Sequence, residues 1–190
     1  MRVDVTRRAA LVGLSSLVAL PGRAQPGPKN GARPPSPEFA TLEKPVVLDI
    51  STTTGSLKES VQKGQELIWH IKDRPADRAF QMTNLAVGLL RTETGGQLIL
   101  TFSCNVSSLG YMTSEEAKLN MIMRTKGGAA LHAWAFGVSV KCTDKDQSVP
   151  PQSHEVPKDI AANVFTNAIS IEITEYTEPN LPEQKVLRCG

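Results

Sequence analysis

The sequence predicts a mainly β protein: an antiparallel β-sandwich, Ig-like or cupredoxin-like in general architecture, with one to three short helical turns. Two stretches carry that expectation. In Gly128–Cys142, GAALHAWAFGVSVKC, the residues Ala130, His132, Trp134, Phe136, Val138, Val140 and Cys142 share one face, and small or polar residues fill the other. In Gly96–Ser107, Leu98, Leu100, Phe102, Cys104 and Val106 alternate in the same way with Gln97, Ile99, Thr101, Ser103 and Asn105. Successive side chains of a strand point to opposite faces of a sheet, so bulky groups gathered on one side are hidden only against a second layer.

The chain is expected to divide into a signal at 1–24, a linker at 25–37 and a single domain at 38–190. Arg2, Arg7 and Arg8 make a basic start, Ala9 to Leu20 is apolar, and Pro21-Gly22-Arg23-Ala24 ends on the small residue that a signal peptidase accepts. That apolar run falls short of the roughly 20 residues a membrane span needs, so no integral membrane segment is expected in the mature chain. Thr6-Arg7-Arg8-Ala9-Ala10-Leu11 resembles the twin-arginine export motif, with Ala10 where that pattern usually has Phe. The resemblance implies a protein exported already folded, to the periplasm or beyond. Gln25 to Ser36, QPGPKNGARPPS, has almost nothing to bury and reads as a semi-extended lead.

Cleavage changes the charge. The whole chain has 21 basic and 19 acidic residues, net +2, and losing Arg2, Arg7, Arg8, Arg23 and Asp4 leaves the mature part at −1. A near-neutral chain without a basic run lacks the electrostatic footprint that nucleic acid demands, so no nucleic-acid partner is expected.

Within the domain, Val46–Ser51 reads as a strand with Val46, Leu48 and Ile50 on one face. Ser56-Leu57-Lys58-Glu59 has capping-box spacing and predicts a helical turn or two before Gly64. Glu66–Lys72 reads as a strand with Leu67, Trp69 and Ile71 inward and His70 toward solvent, ended by Asp73–Asp77. Ala79–Arg91 is a long strand in which Gly88 suggests a bulge, joined by Thr92–Gly96 to the Gly96–Ser107 strand as a hairpin. Thr113–Arg124 is read as one helical turn followed by a strand, because Leu119, Met121 and Met123 alternate even though the residue types also suit a helix. Thr143–Asp159, with three prolines, reads as a long loop. Ile160–Asn167 reads as a short helix, Ile169–Thr174 as the last strand and Glu178–Gly190 as a loose tail.

Three cysteines in an exported chain favour one disulfide. Cys142–Cys189 is the expected pair, tying down the tail, and Cys104–Cys142 is the alternative. If Leu119–Arg124 lay between their strands, Cys104 and Cys142 would stand about 9–10 Å apart, beyond the roughly 7 Å that a disulfide tolerates between Cα atoms.

Lys63-Gly64-Gln65-Glu66-Leu67-Ile68-Trp69-His70 resembles the Lys-Gly-Asp-x-Val-x-Trp opening of a strand in cupredoxins, small exported copper proteins with a β-sandwich fold. What this resemblance implies is the fold; the Cys, His and Met cluster of a blue-copper site is missing from the rest of the chain. Separately, Met112, Met121, Met123 and His132 could form a softer copper site, since thioethers and imidazole select Cu(I). The competing assignment for Met121 and Met123 is core packing beside Leu119. No catalytic residues and no cofactor are expected, because no Gly-x-Ser-x-Gly, His-Glu-x-x-His or Cys-x-x-Cys pattern occurs.

The leading functional expectation is therefore an exported, non-catalytic β-sandwich that binds a protein partner or small ligand, as an accessory subunit of an envelope assembly. Two alternatives stand beside it. One is a periplasmic copper-binding protein, or an enzyme whose site gathers distant residues such as His70, His132 and His154. The other is a pilus-like subunit completed by a donated strand.

Overall fold

The computed structural model describes residues 36–62, 64–92, 96–176 and 183–190. The expected signal, most of the lead, Lys63 and the centre of the Thr92–Gly96 loop lie outside them. The described chain forms β1 (Glu38–Leu42), β2 (Val46–Asp49), β3 (Thr53–Thr54), β4 (Leu57–Gln62), β5 (Leu67–Ile71), β6 (Arg74–Arg91) and β7 (Leu98–Ser108). There follow β8 (Tyr111–Thr113), β9 (Ala117–Arg124), β10 (Ala130–Val138), β11 (Gln147–Val156), α1 (Lys158–Asn167), β12 (Ser170–Glu175) and β13 (Gln184–Arg188). These strands make two antiparallel sheets. The larger runs β11-β7-β6-β5-β1-β13-β8, with β4 and β3 added beside β6, and the smaller runs β10-β9-β12-β2.

The larger sheet is organised by β6, which pairs along one side with β7 and along the other first with β5 and then with β4. The β6–β7 register shifts between Thr83 and Ala86, where Asn84 adopts a left-handed φ of 50°. A bulge bends a strand and sharpens its twist, which lets the sheet curl over its partner. The sequence had pointed to Gly88 for this irregularity. Asn84 takes it instead, because a short polar side chain tolerates the left-handed region, and Gly88 stays in register beside a crowded neighbour. A Cβ at Gly88 would lie 2.8 Å from the Thr101 hydroxyl.

Between the sheets lies the apolar layer that the alternation predicted. Leu98, Leu100, Phe102, Cys104 and Val106 of β7 are buried, as are Leu119, Met121 and Met123 of β9 and Phe136 and Val138 of β10. Phe102 meets Phe136 across the gap with ring centroids 4.3 Å apart, and Trp69 stacks on Phe80 at 4.6 Å.

Several expectations fail where long-range pairing outweighs local signals. Ser56–Glu59 does not form a helical turn: it runs into β4, whose backbone is paired with β6. Lys58 is buried there and donates from Nζ to the Ala168 carbonyl at 2.9 Å, satisfying the C-terminal end of α1. Residues 114–116 form a bend with no helix, centred on Ser114 and Glu115, although Ala117–Arg124 is the expected strand. Thr143–Asp159 is not a loop throughout. It contains β11, an edge strand in which Pro150 and Pro151 sit at a register shift between Val149 and Gln152. Proline is tolerated at edges and bulges because no ladder partner needs its missing N–H. The described end of the tail is not loose either, since β13 pairs with both β1 and β8.

Cys142 and Cys189 form the disulfide, with Cα atoms 5.7 Å apart. Cys142 does not lie on the apolar face, because β10 ends at Val138 and leaves Cys142 in an exposed turn. Cys104 is the buried free thiol, and burial pushes its pKa up to about 12. The strand β9 lies between β10 and β12, not between β10 and β7, so Cys104 belongs to the other sheet. No helix among the described residues is long and apolar enough to cross a membrane.

Candidate functional site

The strands β10 and β11 are edge strands of different sheets, and their inward faces meet at one open side of the sandwich. His132 and Trp134 project inward from β10 on the same face as Phe136. From β11, His154 stands opposite Leu100 and Gln152 opposite Phe102, both in register with the buried face of β7. Gln152 bridges the two edges by donating from Nε2 to the Gly137 carbonyl at 2.8 Å.

Beside that bridge three aromatic side chains gather, all half-buried. The Nε2 atoms of His132 and His154 are 3.2 Å apart. Their rings lie within 9° of parallel, yet their centroids are 5.4 Å apart. Near-parallel rings with so short a nitrogen separation meet edge to edge, each pointing Nε2 at the other. Trp134 stacks on His154 at 4.9 Å and 11°, and on Phe136 at 5.3 Å and 22°. The pair is thereby fixed from behind by the aromatic core.

Burial lowers the pKa of both imidazoles; for His154 the facing His132 lowers it further, while neighbouring Glu155 raises it. Both rings are thus held toward the neutral form at neutral pH. In a neutral pair one Nε2 donates its proton and the other accepts it. What such a pair offers chemically is a shared proton or, with both lone pairs turned inward, two nitrogen ligands.

The residues singled out in the sequence separate into groups. The β9–β10 register sets Met123 opposite His132 and Met121 opposite Trp134, and both methionines are fully buried with Leu119. Met112 lies on β8, beside the far end of β10, where the Thr113 amide donates to the Val140 carbonyl at 3.0 Å. His132 is eight residues back along that extended chain, about 26 Å away at the usual strand rise. Met112 therefore does not join the other three. His70 is also apart from the pair: it is not a plain surface residue but is largely covered, with Nε2 3.0 Å from the Glu43 carboxylate. That imidazole holds the Glu43 carboxyl below its usual pKa.

His154 is the member of the site that lies in the stretch whose prolines suggest a loop. Its signal was the short alternation Gln152, His154, Val156, which Pro150 and Pro151 interrupt on the N-terminal side. Among the described residues, no three His, Cys, Asp or Glu side chains gather as a metal cluster. Two open, shallow grooves lie elsewhere. One, of about 510 Å³, is lined by residues including Glu43, Glu66 and Arg78, and another, of about 660 Å³, by residues including Asp77, Arg78, Tyr111 and Arg188 beside the disulfide. No protein-family model matches the chain, and neither does any curated protein or solved structure.

Proposed function

We propose that this protein is exported to the periplasm or the medium and acts there by binding, as a non-catalytic partner-binding or ligand-binding module of an envelope assembly. The observation that supports export most strongly is the Cys142–Cys189 disulfide. Such bonds persist in oxidising compartments and are rare in the cytosol, and the bond clasps the end of the C-terminal strand to the turn after β10. The basic start, apolar run and small residue at Ala24 point the same way. Binding is favoured over turnover because the largest described polar clusters, Arg74 with Glu38, Asp77 and Tyr111 and Asp146 with Thr83, Asn105 and Ser107, do not set a nucleophile against a base and an orienting group.

A donated-strand subunit needs a continuous apolar groove, and the described residues do not favour one. Their large exposed apolar side chains are Val47, Leu90 and Leu109, which lie on β2, on β6 and in the turn after β7. The metal-binding reading is supported by one specific observation, the meeting of His132 and His154.

Fractionation of cells producing the full chain tests the proposal. The expected result is a chain cut after Ala24, outside the cytoplasm, yielding a Cys142–Cys189 linked peptide on non-reducing digestion. Replacing the pair Arg7→Lys and Arg8→Lys should leave uncut precursor inside. Uncut, reduced wild-type chain in the cytoplasm would overturn the reading.

A further inference from the structure

We propose that His132 and His154 bind a single Cu(I) ion at the open edge of the sandwich, with Met123 as the adjoining thioether donor. The inference rests on reading the protein as a binder, and it names the ligand of one site. Its first support is a distance. An imidazole nitrogen sits about 2.0–2.1 Å from a d10 ion such as zinc, so two of them at a tetrahedral angle stand about 3.3 Å apart. The two Nε2 atoms are 3.2 Å apart in the structure, so the spacing already suits one ion, and the rings, which now point at each other, need to tilt rather than to separate to aim both lone pairs at it.

The second support is how the ligands are held. His132 and His154 come from edge strands of separate sheets, and Gln152 spans those edges while Trp134 backs His154. A pair positioned by packing rather than by loops keeps its spacing without the ion, which leaves only a ring tilt to be made on binding. The third support is the choice of metal. Met123 is in register with His132 on the same face, where paired residues have Cβ atoms about 4.5–5.5 Å apart. A thioether beside two imidazoles selects Cu(I) over Zn(II), whereas two imidazoles with water alone would suit either.

Binding needs both Nε2 lone pairs. In the empty pair one Nε2 carries the proton shared with the other, so on binding that imidazole loses its Nε2 proton to solvent and takes one at Nδ1. The neutral pair therefore releases no net proton.

The test uses the mature, disulfide-intact chain under anaerobic conditions, titrated with Cu(I) against a chromogenic Cu(I) chelator in a reductant that spares disulfides. Zn(II) is titrated in parallel against a zinc indicator. One Cu(I) per chain is expected. His132→Gln and His154→Gln should each weaken it about tenfold or more, on the scale that loss of lesser metal-site contacts already reaches. Met123→Leu should weaken Cu(I) and leave Zn(II) binding unchanged, and His70→Gln should change neither. Should a histidine variant fail to fold, the imidazole nitrogen shifts of the wild-type chain decide: those of His132 and His154 should move with copper while those of His70 stay. No bound Cu(I), copper held equally by both histidine variants, copper shifting His70 instead, or Zn(II) held more tightly than Cu(I) would each overturn the proposal. None of these outcomes bears on the fractionation result, so the export reading stands or falls separately.

Discussion

Gly137 shows how closely the edge of the sandwich is packed at single residues. A Cβ there would lie 2.8 Å from the Glu116 Cβ and run into its carboxylate, and the Gly137 carbonyl already accepts from Gln152. The carboxylate can swing away, but the Cβ of Glu116 is fixed to its backbone. Gly137→Ala should therefore lower stability by about 1–3 kcal/mol in a urea melt. The two histidines at the same edge set a pH dependence in the metal-free protein. Their pKa values are lowered from 6.5 on folding, so the unfolded chain binds protons more readily and stability is lost as pH falls below about 6.5. Urea midpoints measured at pH 7.5 and 5.5 should drop more for wild type than for the double variant His132→Gln, His154→Gln. Cys104 is the opposite kind of residue. With its thiol pushed up to about 12 and covered by the core, it should resist a thiol reagent in the native state and react once denaturant is added. At this scale His132 and Trp134 were legible from alternation, but the half-exposed position of Trp134 was not. Face is a property of the strand, whereas depth depends on where the neighbouring sheet ends.

Among the elements, β5, β7, β10, β12 and α1 were readable because each carries its own pattern, period two in the strands and a short apolar side in the helix. The elements β4, β11 and β13 were not. Each is a strand by virtue of a partner distant in sequence: β4 lies on β6, β11 on β7, and β13 between β1 and β8. The prolines of β11 and the capping-box spacing of β4 argued locally for something else. His154 was hidden for the same reason, since its place opposite Leu100 exists only once β11 is paired. The disulfide acts at this scale too, holding β13 to the turn after β10 across a separation of 47 residues. Removing it with Cys142→Ser and Cys189→Ser should destabilise the chain by about 2–4 kcal/mol, read from denaturant midpoints of the variant and the oxidised wild type.

For the molecule as a whole, the two-layer arrangement decides which residues can act together. His132 and His154 are separated by a turn and a proline bulge in the chain, and only the facing of β10 against β11 and β7 brings their nitrogens together. Phe102 and Phe136 anchor that facing from inside, so Phe136→Ala should lower stability by about 3–5 kcal/mol, measured by urea unfolding, and loosen the histidine edge with it. The most direct measurement is a proton NOE spectrum of the aromatic side chains in the oxidised mature chain. The account predicts cross-peaks between the Phe102 and Phe136 rings and between the Trp134 indole and the His154 imidazole. A spectrum in which Phe102 and Phe136 each show contacts only within their own sheets would contradict it.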